Sequence, residues 1–109
     1  MRIIKDGDFY KLARITGPTH NMLSVRFGHS REATIEALTE KFEGGLSSEE
    51  VKKQVLEGVS KANEELKTDY QVKDIQFLRS DSPPEKIYSA LAFHLTKKMH
   101  EDILHEEVT

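Results

Sequence analysis

Gln71-Val-Lys-Asp-Ile-Gln-Phe-Leu-Arg79 is followed, after Ser80-Asp81, by Ser82-Pro-Pro-Glu85 and then by a run rich in good helix formers. The first run is strand-like. Proline is tolerated in a first helical turn, where its missing N–H would have no partner anyway. Serine with glutamate three residues on is the pattern of a capping box. The stretch therefore reads strand, tight turn, helix, with the helix expected over residues 85–104 and its apolar stripe at Ile87, Tyr88, Leu91, Leu95 and Met99. The competing reading is a strand with Ile87, Leu91, Phe93 and Leu95 inward; the cap and the run length favour helix.

Working towards the N-terminus, Ser47-x-x-Glu50 is a second capping box. Behind it Val51, Val55, Val59, Ala62 and Leu66 recur at helical spacing, with Lys and Glu opposite and Gly58 as a mild weakness. Residues 31–42 are ambiguous. Ala33, Ile35 and Ala37 alternate as in a strand, whereas Ile35, Leu38 and Phe42 share a helical face that Ser30 would cap and Gly44-Gly45 would end. The short link Gly28-His29-Ser30 favours a strand paired as a hairpin with the one before it. A strand also supplies the sheet that the next helix needs.

Met22 to Gly28 alternates cleanly, with Leu23, Val25 and Phe27 on one face and Met22, Ser24 and Arg26 on the other. Before it, Arg2–Lys5, Asp6-Gly7 and Asp8–Thr16 read as a hairpin that Gly17-Pro18 ends, with Thr19–Asn21 completing a turn. The order is β-β-β-β-α-β-α. It defines an α+β two-layer sandwich: a mostly antiparallel sheet with two helices on one face. The 109 residues make one domain, with a frayed tail expected at 105–109.

Composition narrows the chemistry. The chain has no Cys, which removes disulfides, thiolate nucleophiles and cysteine-ligated metals and fits a reducing, cytoplasmic setting. No signal peptide pattern and no transmembrane run is seen. Residues 1–31 carry six basic and two acidic side chains, residues 32–109 ten basic and seventeen acidic. Such asymmetry suits either two mutually attracting surfaces or acidic solvent faces on the later helices.

No catalytic motif is present. Ser47 and Ser82 are explained as caps, there is no Gly-x-Ser-x-Gly elbow, and no glycine-rich phosphate loop occurs. Glu49, Glu50 and Glu85 compensate the helix N-termini, and Pro83-Pro84 remove donors, so neither end invites an anion. Asp74 and Asp81 are the acids retained as candidates. Glu101, Asp102 and His105 have weak metal spacing on a solvated helix end; no metal and no cofactor is expected.

Three functions follow in order. The first is a binding protein forming a homo-oligomer through an open sheet face, with Tyr10, Leu12, Arg14 and Met22 as interface candidates. The second is a small enzyme or ligand-binding domain using His20, Asn21, Arg26, His29 or Arg79. The third is a nucleic-acid accessory protein using Phe9, Tyr10, Lys11, Arg14 and Arg26; the acidic whole and the lack of an RNP-like motif set it last.

Overall fold

A computed structural model describes residues 3–16, 19–38, 47–78 and 86–108, with the side chains of 13–16, 19–21 and 103–108 outside the description. The elements are β1 (Ile3–Asp6), β2 (Phe9–Thr16), β3 (Thr19–Phe27), β4 (Thr34–Ala37), α1 (Ser48–Leu66), β5 (Val72–Leu78) and α2 (Ile87–Val108). The α+β class and the order β-β-β-β-α-β-α are those read from the sequence.

The sheet runs β1-β2-β3-β5-β4. Every pairing is antiparallel except β4 with β5, which is parallel. The expected hairpin between β3 and β4 is thus corrected. Strand β5 lies between them, and α1 is the crossover that a parallel β4–β5 pair requires. The β1–β2 register, Asp6 opposite Phe9, leaves Gly7-Asp8 as the two-residue turn, one position later than Asp6-Gly7. Gly7, at φ +62°, holds the first central position, which type II′ turns reserve for glycine. β3 begins at Thr19, so Thr19–Asn21 belong to the strand rather than to a turn.

Both helices cover one face. Leu12, Leu23, Val25, Ile75 and Phe77 are buried there against Val51, Val55 and Val59 of α1 and Ile87, Tyr88, Leu91 and Leu95 of α2. Helix α2 also buries Ser89, Ala92 and Thr96, because it meets both the sheet and α1; Thr96 Oγ1 donates to the Ala92 carbonyl at 2.7 Å. It continues to Val108.

The start of α2 differs from the local reading. Lys86 adopts φ +56°, which breaks helical continuity, and its carbonyl accepts from the Ala90 N–H at 3.1 Å. Lys86 therefore occupies the N-cap position, and residues 79–85, with the Ser82 capping box, lie outside the described residues. The side-chain acceptor comes from another element: Gln54 Oε1 of α1, buried, accepts from the Tyr88 N–H at 3.2 Å. Gln54→Leu should remove this buried hydrogen bond and lower stability by about 0.5–1.5 kcal/mol. Urea unfolding monitored by circular dichroism measures it; an unchanged midpoint would show the bond to be dispensable.

Candidate functional site

Two surfaces gather polar and aromatic side chains. The first is a cleft at the end of the sheet where the β1–β2 turn, the end of β3 and the start of β5 meet. Strict alternation cannot bury both Val72 and Ile75, three residues apart, yet both are buried. A β-bulge reconciles them. Arg26 faces Asp74 and Phe27 faces Val72, so Lys73 is the extra, unpaired residue. Bulges re-aim side chains and are frequent beside binding sites. Lys73 is exposed, and its stem passes over Gly28, where an added Cβ would lie 3.5 Å from its Cδ.

The cleft has a volume of about 360 Å³, and its lining includes Lys5, Tyr10, Phe27, His29, Tyr70 and Lys73. A hollow of about 300 Å³ adjoins it through Phe27, Gly28, His29 and Tyr70. Tyr10, Phe27, Tyr70 and His100 form a chain of edge-to-face rings with centroids 5.7–6.3 Å apart. Asn63 of α1 fixes this wall: its Oδ1 accepts from the Tyr70 N–H at 3.0 Å and from the Thr68 hydroxyl at 2.8 Å, and its Nδ2 donates to the Tyr70 carbonyl at 3.0 Å. The Tyr70 hydroxyl and His100 Nδ1 lie 2.6 Å apart. Lys5 sits 5.7 Å above the Tyr10 ring, a cation–π distance. Among the described residues, Lys5 and Lys73 have no ion pair.

A larger hollow of about 460 Å³ lies between α1 and residues 30–33. Its Lys52 is already paired with Glu32 at 3.2 Å.

The second surface is the sheet face opposite the helices, which no described element covers. It carries Ile4, 57% exposed, together with half-buried Phe9, Met22 and Leu78. Ser24 is 1% exposed there, and its Oγ has no hydrogen-bond partner. Arg26 forms an ion pair with Asp74, its Nε donating to Oδ2 at 2.5 Å, and its guanidinium lies 5.5 Å from the Phe9 ring centre. The Thr34 hydroxyl donates to the other Asp74 oxygen.

That Thr34 hydrogen bond is the largest influence on the Asp74 carboxyl; burial opposes it, and Arg26 and Lys73 reinforce it, so the pKa lies below its ordinary 3.8. A depressed folded-state pKa adds stability above the unfolded value and loses it as pH falls through the folded one. The stability advantage of the wild type over Asp74→Asn should thus be full near neutral pH and shrink once pH drops below 3.8. Urea midpoints taken at pH 7 and pH 3 test this; a gap independent of pH would refute it.

Of the five ligand candidates, Arg26 and His29 come together at the cleft. His20 and Asn21 pair with Ile15 and Arg14 near the far end of β3, nine residues or roughly 30 Å of extended chain from His29 for His20. Arg79 lies outside the described residues. Of the interface candidates, Met22 is on the open face. Leu12, 1% exposed, is corrected to the core, and Tyr10 packs against that core from the same face. The register explains this: Leu12 faces Leu23, and Tyr10 faces Val25, so all four share the helix side. Arg14 is opposite Asn21, its side chain outside the description. Lys5, Lys73 and Tyr70 were missed by the sequence reading; the three-residue spacing of Val72 and Ile75 was the available signal.

Among the described residues no three His, Asp or Glu side chains gather as metal ligands, and no helix is long and apolar enough to cross a membrane. No family model, no curated protein and no solved structure matches the chain.

Proposed function

We propose that the protein acts through binding and assembles as a homodimer by its open sheet face. The observation that carries this reading is the self-complementarity of three rows of that face. Across the sheet, Lys11, Ser24, Gln76 and Glu36 occupy one row on β2, β3, β5 and β4. Phe9, Arg26, Asp74 and Thr34 occupy the next, and Met22 faces Leu78 in a third. A two-fold axis parallel to the strands, between β3 and β5, exchanges β2 with β4 and β3 with β5. It sets Lys11 over Glu36, Ser24 over Gln76, Arg26 over Asp74 and Met22 over Leu78 of the other copy. Isologous contacts of this kind are the commonest in oligomers, and two sheets stack at about 10 Å with inner side chains interdigitating.

The pairing answers two unmet needs. The buried Ser24 Oγ, which has no hydrogen-bond partner, gains the Gln76 amide, and Met22, Leu78 and Phe9 leave water. Light scattering at micromolar concentration should give the dimer mass. Met22→Glu should give a monomer that still unfolds cooperatively, since Met22 lies outside the core. Glu36→Lys should weaken the dimer, and adding Lys11→Glu should restore it. A monomeric wild type would overturn the proposal.

A further inference from the structure

We infer that the sheet-end cleft is a binding site for a small phosphorylated aromatic ligand of about mononucleotide size. Three independent features converge on this. The volume, about 360 Å³ with the adjoining hollow of about 300 Å³, falls in the range of small-ligand sites rather than of macromolecular grooves. The wall is aromatic: Tyr10, Phe27 and Tyr70 offer rings against which a planar group can lie, and Asn63 holds the Tyr70 backbone by two hydrogen bonds. The rim is cationic. Among the described residues Lys5 and Lys73 have no ion pair; His29 stands beside them with its Nδ1 3.2 Å from Gln71 Oε1, Asp8 lines the cleft, and Asp69 lines the adjoining hollow.

The bulge is what separates this cluster from ordinary surface lysines. A regular β5 would pair Lys73 with a residue of β3 and alternate its side chain with Val72. The extra residue breaks the ladder, and the Lys73 stem runs alongside Gly28 to the cleft that Lys73 lines. Arg26 contributes its stem; its guanidinium is already held by Asp74 on the other face. The anion is therefore met by ammonium groups, which bind phosphate as point charges without fixing a planar fork, while the rings select the group attached to it.

Calorimetric titration of the whole chain with adenosine 5′-monophosphate, with inorganic phosphate and with adenosine separates the two contributions. The monophosphate should bind at least tenfold more tightly than either fragment. Lys73→Ala and Lys5→Ala should each weaken it by fivefold or more, and Tyr10→Leu should reduce the gain over inorganic phosphate. Raising salt should weaken the monophosphate and leave adenosine unchanged. Met22→Glu should bind as the wild type does, so that loss of the dimer and loss of this site are read separately. No saturable monophosphate binding at millimolar concentration would overturn the inference, as would affinity that is indifferent to both lysine substitutions.

Discussion

Gly58→Ala should lower the melting temperature by roughly 10 °C, taking about 2 kcal/mol of lost stability and the usual 4–8 °C per kcal/mol for a domain near this size. In an exposed helix the same change would help by about 1 kcal/mol, because alanine is the better helix former. Here the helix crossing decides. A Cβ at position 58 would stand 2.2 Å from the Ser89 carbonyl oxygen, 2.9 Å from the Ala92 Cβ and 3.0 Å from the Phe93 N. Two of the three are backbone atoms of α2 and cannot swing aside, so the helices must separate. Separation disturbs Val55, Val59, Leu91 and Leu95, the core between them and the sheet. Overpacking of this kind typically costs about 1–3 kcal/mol and occasionally more, which exceeds the propensity gain. Gly58→Leu should do more damage than Gly58→Ala. Thermal unfolding followed by circular dichroism measures both; a higher melting temperature for Gly58→Ala would mean that the crossing is looser than its atoms indicate.

Gly58 also shows where sequence stops being informative. Within α1 it is legible only as a weak position, since its reason lies on α2, thirty residues further on. The elements themselves were legible because each rests on local rules: period two in β3, helical spacing in α1, turn residues at Gly7. Strand pairing was not. Residues 34–37 form a strand, as alternation suggested, but their partner is β5, and nothing within 28–42 encodes that choice. The cap of α2 illustrates the same limit. A capping box is a local pattern, whereas the acceptor at the described helix start is Gln54, whose polarity on an apolar face was the one clue that it had a partner elsewhere. As for the site, Arg26 and His29 were recognisable as polar residues on and after a strand, but Lys73 and Tyr70 reach them only through a bulge and a loop.

Leu12→Glu should abolish folding. Alternation within β2 gives Tyr10, Leu12 and Arg14 a common face without saying which side the helices take, and an outward choice would make this substitution a test of dimerisation. The register decides otherwise: Leu12 sits between Ile3 of β1 and Leu23 of β3, 1% exposed, under α2. A carboxylate there would lose its hydration with no cation opposite, since the surrounding core is Leu23, Val25, Phe77 and Leu95. Burying an unpaired ionised group costs several kcal/mol even after relaxation, and removing a core leucine alone costs about 2–5 kcal/mol. Together they match or exceed the whole stability of about 5–15 kcal/mol that a domain usually has. The expected product is a chain without cooperative unfolding, found in the insoluble fraction or with the circular dichroism of an unfolded protein. Leu12→Ala should fold and melt lower, which separates loss of packing from burial of charge. Met22→Glu, ten residues on and across the same sheet, should keep its cooperative transition. If Leu12→Glu instead gave a folded monomer, β2 would face the other way and the core described here would be inverted.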